Sequence, residues 1–461
     1  MTAPVSGWRS GRGVLVLVFA LTLPFVSPRI RGADEIEGFA YLRSAVFDRD
    51  LDFENEYRWF HARDPEGLAG FKSTFLDRRE PATGRPINFA PLGGALLWSP
   101  FYLAMHAAVR VARALGAGVA ADGFSWPYAA AACFASALYG LVGLLLIHDA
   151  LVRFGGFKDA TAAAAVLALW LGTPLLYYMT VAPAFSHATS LFAVALVLWL
   201  WLRARARDEA SPRAWAVVGL AAGMAGLVRE QDILFAALPG AELLWRALRD
   251  RPRGPAAARL LAFAAAVVVA FVPQLLAYRA VNGHFGPSRL VARKMEYASP
   301  HFLDVLFDPA HGLFAWTPLL LVAAAGLVLA WRRRAAVPVG LLASGFLLQV
   351  WINGAVLSWT QAGAFGSRRF VSSLAVLAFG LAAVVESAQA RVGRAALGVA
   401  LAVFVWWNVS LMLQFGLRLM DRQGLEWPLV ARNQLTAVPP RIGRAAWLLL
   451  TDRERLVRES R

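Results

Sequence analysis

The sequence predicts an all-α polytopic membrane protein with about eleven transmembrane helices and an extracytoplasmic first loop carrying juxtamembrane helices. Three observations predict this. Hydrophobic residues make up 58% of the 461-residue chain and charged residues only 16%, against about 45–50% and about 25% in soluble domains. Apolar runs long enough to approach the roughly 20 residues of a membrane span recur along the chain. Lys and Arg fall in short clusters between those runs, so the formal charge of +16 reads as a set of topology signals and not as a nucleic-acid surface.

Taken in order, Arg9 and Arg12 precede an apolar run from Val14 to Val26. No small-x-small cleavage site follows, so the run reads as an uncleaved anchor with a cytoplasmic N-terminus. A polar loop then runs from Arg31 to about Arg85 and carries twelve of the chain's thirty acidic residues. The stretch Asn88–Gly116 is apolar but interrupted by Pro91, Pro100, His106, Arg110 and Arg113, which predicts an interfacial helix. Later spans are expected near Pro127–Val152, Ala160–Thr180, Ser186–Leu202, Arg213–Val228, Ile233–Leu248, Arg259–Tyr278, Leu313–Trp331, Val337–Leu357, Phe370–Val385 and Ala395–Phe415. The linkers Arg153–Lys158, Arg203–Arg213, Arg246–Arg259, Arg332–Arg334 and Arg391–Arg394 are basic and then all fall on the cytoplasmic side. The domain organisation expected is one transmembrane domain over 1–417, containing the loop 31–126, and an extracytoplasmic tail over 418–461. The localisation expected is a multi-pass protein of the plasma (inner) membrane.

The opposite, extracytoplasmic connections carry the unusual residues. They are the acidic loop, Thr180–His187, Val228–Asp232, Asn282–Gly312 and Ser358–Phe370. Charges at membrane depth are costly and face cavities or partners. Arg229, Glu230, Asp232, Arg368 and Arg369 all border apolar runs on the side where arginine is normally scarce. Asp34 and Glu35 stand closest to the first span. His187 and Arg293 complete the set of candidate site residues.

Each candidate has a plainer competitor. Asp34 with Glu37 three residues later fits a capping box opening an amphipathic helix of Ile36, Phe39, Ala40 and Phe47. The acid-rich Asp48–Tyr57 stretch reads as a solvated edge or loop, since it lacks the spacing of an EF-hand. Arg229 and Glu230 could form an ion pair closing a helical hairpin, Arg368 and Arg369 could anchor headgroups, and His187 could be a hydrogen-bonded cavity residue. His301, Asp304, Asp308 and His311 would share one helical face and could hold a divalent zinc or manganese ion, but Pro309 and Gly312 argue against a continuous helix there. No cofactor is expected, and a divalent metal is not favoured. Cys133 is the single cysteine, so a disulfide is excluded. No Walker loop, GxGxxG, HExxH or GxSxG motif occurs, and no internal repeat of the kind found in many transporters.

A resemblance runs through most of the chain. The stretch ADEIEGFAYLRS directly after the first span resembles the opening of the membrane-embedded GT-C glycosyltransferases, which include the protein O-mannosyltransferases and the bacterial lipid A aminoarabinose transferases. GRPINFAPLGGALLWSPFYLA is similar to their juxtamembrane helix. LWLGTPLLYYMTVAPAFSHATSLF, LFDPAHGLFAWTPLLL and AFGSRRFVSSLAVLAFG resemble recurrent stretches of bacterial members. Many of those proteins continue Asp-Glu-Pro-x-Tyr, where this chain has Ile36 and Glu37. The resemblance implies transfer of a hexosyl or pentosyl group from a polyprenyl-phosphate sugar donor to a lipid, polysaccharide or protein acceptor, with membrane lipids as the surroundings and no nucleic-acid partner. It implies Asp34 as the catalytic base, with Glu35 as a supporting carboxylate.

Elementary chemistry asks for the same groups. Cleavage at an anomeric carbon passes through an oxocarbenium-like state. A phosphate leaving group needs charge neutralisation, which planar arginines such as Arg368 and Arg369 supply in bidentate fashion. The acceptor hydroxyl needs one carboxylate as base. The competing class is a flippase or transporter of a glycolipid or other amphiphile, for which the acidic first loop has no evident use.

Overall fold

The computed structural model describes residues 10–249, 253–333, 338–361, 363–453 and 455–456; Arg9, Arg251 and Arg334 of the basic linkers lie outside them. Among these residues the only β pairing is an isolated bridge between Arg79 and Pro86, and the regular structure is helical. Among the described residues four helices are long and apolar enough to cross a membrane: Trp126–Arg153, His187–Ala206, Gly254–Asn282 and Arg368–Gly416. Gly11–Phe25, Asp159–Leu171, Pro212–Val228 and Val339–Gly354 are shorter apolar helices. The chain is a multi-pass membrane protein.

Several expected spans are divided, each for a local reason. The run expected at Ala160–Thr180 breaks after Leu171, because Pro174 cannot donate to the ladder and Gly172 and Thr173 loosen it. The Thr173 hydroxyl donates to the Leu169 carbonyl at 2.6 Å. Asn408 donates to the freed carbonyls of Leu171 and Thr173 at 2.9 Å each. The span expected at Ile233–Leu248 is a 3₁₀ turn, Glu230–Ala236, followed by the helix Ala237–Arg249. The last long helix breaks at Gly393, whose φ of 80° lies in the left-handed region. That break falls inside the basic Arg391–Arg394 linker.

The chain divides into two compact units. In the first (1–25, 141–180 and 296–461), the N-terminal helix is pinned by the Gly11 amide donating to Asp159 at 2.6 Å and by an Arg12–Asp149 ion pair. The helices Pro318–Arg333 and Leu374–Gly416 cross through Gly326 and Gly380. A Cβ on Gly380 would lie 2.0 Å from the Ala323 carbonyl oxygen. Small residues allow this approach, as at helix crossings in lipid.

In the second unit (26–140 and 181–295), Gly219 and Gly223 perform the same task for Pro212–Val228 against the helix Arg253–Asn282. At one end of the unit, Arg205 and Arg246 converge on Glu242 at 2.5 and 2.7 Å, and Trp201 donates to it at 2.7 Å. Two basic linkers therefore meet at that end. The acidic loop forms the short helices Ala33–Arg43 and Glu54–Arg63 around an aromatic core of Phe39, Tyr41, Phe53, Tyr57 and Tyr102. The expected edge at Asp48–Tyr57 is thus half helix. The helix Gly93–Ala114 starts directly on the end of Pro212–Val228, where a Cβ on Gly93 would lie 2.4 Å from the Val228 nitrogen.

That contact gives a prediction. Gly93→Ala should destabilise the purified protein by about 1–3 kcal/mol, because backbone and not a flexible side chain blocks the new methyl. Gly94→Ala, whose Cβ would meet only Trp98 at 3.8 Å, should leave the melting temperature nearly unchanged. Equal melting temperatures for the two variants would contradict the packing.

Candidate functional site

Every helix leaves four backbone N–H groups unpaired at its start, and the helix Ala33–Arg43 meets this need with a carboxylate. Gly32 is the N-cap, and the side chain of Glu35 reaches back to accept from the amides of Arg31 and Gly32, both at 2.8 Å. The capping box expected from Asp34 and Glu37 is therefore displaced by two residues: Glu35 is the capping carboxylate, and Asp34 sits on the first turn, exposed. Glu35 and Glu37 are buried, 2% and 3% exposed.

Glu37 is held from the other side of the loop. Its carboxylate accepts from the Phe89 amide at 2.5 Å, and its carbonyl accepts from the Asn88 side chain at 3.1 Å. Burial pushes the Glu35 carboxyl up to about 7, with the Asp34 charge adding to it and the two backbone donors opposing it. Burial and Asp34 raise Glu37 well above the ordinary carboxylate range, opposed by the Phe89 donor. One helical start thus presents an exposed carboxylate backed by two that resist ionisation.

The two later connections of this unit meet the same turn. Phe185 packs on Gly32, where a Cβ would come within 2.8 Å of its ring. The ring of His187 stacks on Phe185 with centroids 5.9 Å apart and planes 10° from parallel. Arg229 donates to Nδ1 of His187 at 2.5 Å and to the Gln231 side chain at 3.4 Å. A guanidinium can only donate, so Nδ1 is the acceptor and the ring proton sits on Nε2. Asp232 is buried and accepts from Ser190 at 2.5 Å.

Glu230 is in no ion pair among the described residues, so the expected Arg229–Glu230 pair is replaced by the contact with His187. Burial lifts Glu230 to about 7. Burial also raises the Tyr41 hydroxyl, and the charges of Glu37 and Glu230 act on it together. Tyr41 and Glu37 were not among the candidates read from the sequence. Their i, i+4 spacing on a helix that begins with two acids was the available signal.

The other candidates are carried by other segments. Arg293 lines a separate basic pocket between residues 78–87 and 282–293 of the second unit. Arg368 and Arg369 belong to the first unit, on the 3₁₀ turn Arg368–Ser373. Nearby in that unit the His311 ring stacks on Trp316 and its Nε2 donates to the Ala364 carbonyl at 2.7 Å. His311 takes a φ of 130°, and the local helix covers only Asp304–Phe307. The shared helical face expected for His301, Asp304, Asp308 and His311 is therefore not formed, although His301 meets Asp304 at 2.9 Å. Among the described residues no group of three His, Cys, Asp or Glu is placed to hold a metal ion.

Among solved structures, the chain is similar to ArnT from Cupriavidus metallidurans, determined bound to undecaprenyl phosphate. The TM-score is 0.50 at 18% identity, over 98% of this chain and 76% of that one. This chain has a GT-C glycosyltransferase-like membrane fold. No protein-family model matches it, and no curated protein does. The resemblance read from ADEIEGFAYLRS and the later stretches thus holds at the level of the GT-C-like fold.

The raised carboxyls predict a pH dependence of stability. Glu230 titrates near 7 when folded and near 4.5 when exposed, so between those values the folded state holds the extra proton. Its contribution is fully present below about 4.5 and is lost as the pH rises through about 7. Thermal melting in detergent should therefore fall from about pH 5 to about pH 8, and Glu230→Gln should make that fall shallower. An identical slope in the variant would remove Glu230 as a source.

Proposed function

We propose that this protein is a glycosyltransferase that moves a sugar from a polyprenyl-phosphate-linked donor to an acceptor hydroxyl, with inversion at the anomeric carbon. The observation that carries the reading is the exposed Asp34 on the first turn of a helix whose neighbouring carboxylates, Glu35 and Glu37, are buried and held by backbone donors. The GT-C-like fold supports it. Asp34 accepts the proton of the acceptor hydroxyl as its oxygen attacks the anomeric carbon. The bond from that carbon to the phosphate oxygen breaks on the opposite face, and polyprenyl phosphate departs with the electron pair. Glu35 fixes the turn that presents Asp34. The departing phosphate calls for guanidinium groups, the role the sequence offers to Arg368 and Arg369. His187, Arg229 and Glu230 border the substrate near the turn.

The proposed topology has eleven spans, with the N-terminus cytoplasmic and the acidic loop outside the plasma membrane. It places the transmembrane domain over 1–417 and a short outer tail beyond it. The acceptor is a lipid, polysaccharide or protein hydroxyl.

Cysteine labelling in intact cells should reach residue 60 and leave residue 205 protected. Protection of residue 60 would put the carboxylates on the wrong side for this reaction. Because Gly32 and not Asp34 is the cap, Asp34→Asn should cost little stability, about 0.3–1 kcal/mol from the lost charge at the helix start. It should lower transfer from a polyprenyl-phosphate sugar by about 10²–10⁴-fold. Near-normal transfer by the folded variant would rule Asp34 out as the base. Arg368→Ala and Arg369→Ala should each weaken donor use, with Lys restoring only part because it offers a point charge and not a fork.

A further inference from the structure

The second unit holds a cavity of about 550 Å³ between residues 78–87 and 282–293, within the usual size of a small-molecule site of roughly 300–1,000 Å³. Its charge is one-sided. Arg78, Arg79, Arg289 and Arg293 line it against one carboxylate, Glu80. Three buried polar atoms on lining residues have no partner: Nη1 of Arg79, Nε2 of His284 and the side-chain oxygen of Asn282. Buried polar atoms in folded proteins are nearly all paired, so these two nitrogens and one oxygen mark hydrogen-bonding capacity in the cavity walls that the described residues do not use.

The walls are braced. Thr83 donates to the Val281 carbonyl at 2.6 Å, and Arg85 to the Ala280 carbonyl at 3.1 Å. Ser288 contacts Glu80 at 3.4 Å, which occupies that carboxylate. Gly283 adopts a φ of 79°, and a Cβ there would lie 2.7 Å from that of Ala82. Arg79 is steered by Glu54 at 2.9 Å, whereas Arg78, Arg289 and Arg293 are in no ion pair among the described residues.

We propose that this cavity binds a phosphoryl-bearing, sugar-sized headgroup carrying at least two negative charges. A phosphodiester carries one charge, which one bidentate guanidinium answers. Even with Arg79 paired to Glu54 and Glu80 on the wall, Arg78, Arg289 and Arg293 exceed that need and fit a pyrophosphate or a doubly phosphorylated saccharide. The cavity adjoins the carboxylate cluster along the chain: Ile87 lines it, and the next two residues, Asn88 and Phe89, hold Glu37. The binding itself does not depend on which group the protein transfers.

The test uses the full chain in phosphatidylcholine nanodiscs and isothermal titration with inorganic pyrophosphate, inorganic phosphate, a hexose bisphosphate and the unphosphorylated hexose. Pyrophosphate and the bisphosphate should bind more tightly than inorganic phosphate, and the neutral sugar should not bind. The double variant Arg289→Ala/Arg293→Ala, with its melting temperature checked, should bind them at least about ten-fold more weakly, as expected for lost hydrogen bonds to a charged group. A repeat in discs containing polyprenyl pyrophosphate separates the two sources. Displacement of the soluble probe assigns the headgroup to a lipid, and undiminished binding assigns it to a soluble ligand. Equal affinity in the folded double variant, or no preference for the doubly charged probes, would overturn the proposal. Because binding is read without turnover, failure here is distinct from failure of Asp34 as a base.

Discussion

A buried carboxylate must be answered by donors or stay protonated, and Glu35 is answered by the backbone of its own helical turn. Its hydrogen bonds to the amides of Arg31 and Gly32 close the start of the helix Ala33–Arg43. Closing the turn at Gly32 has two consequences. It leaves Asp34 one residue inside the helix, exposed and near the positive end of the dipole. It also leaves no side chain at position 32, so Phe185 can pack there and bring His187 and Arg229 with it. A residue larger than glycine at position 32 would separate the first loop from the second connection.

Burial of Glu35, Glu37 and Glu230 within a single unit is costly if all are ionised. The fold limits that cost unevenly. Glu37 gains the Phe89 amide, Glu35 gains two amides, and Glu230 is shifted by burial alone. Burial thus leaves Glu35 and Glu37 resistant to ionisation, each held by backbone donors, beside the exposed Asp34.

Much of this was legible in the sequence, and the failures have local causes. The helical class followed from apolar run lengths, and attention to Asp34 and Glu35 from their place directly after the first apolar run. Cap assignment failed because Asp34 outranks Gly32 in intrinsic capping preference, while Glu35 at the third position works through its side chain whatever the cap residue is. Arg229–Glu230 looked like a pair because adjacency in sequence is visible and the nearness of His187, 42 residues earlier, is not. Breaks at Gly172–Pro174 and Gly393 were hidden inside long apolar or basic stretches, where hydropathy averages over single residues. The basic cavity was illegible for the same reason as the His187 contact: its arginines come from segments nearly 200 residues apart, joined by hydrogen bonds such as Thr83 to Val281.

The segment 78–89 ties these features into one device. Its first half supplies Arg78, Arg79 and Glu80 to the basic cavity, and its last residues hold Glu37. Between them the Ile87 carbonyl accepts from the buried Tyr57 hydroxyl at 3.0 Å, which fixes the strip against the aromatic core of the first loop. One short, braced strip of backbone therefore carries a wall of the basic cavity at one end and the donors to Glu37 at the other. A ligand that carries several negative charges is drawn to the basic end, where guanidinium groups line the cavity.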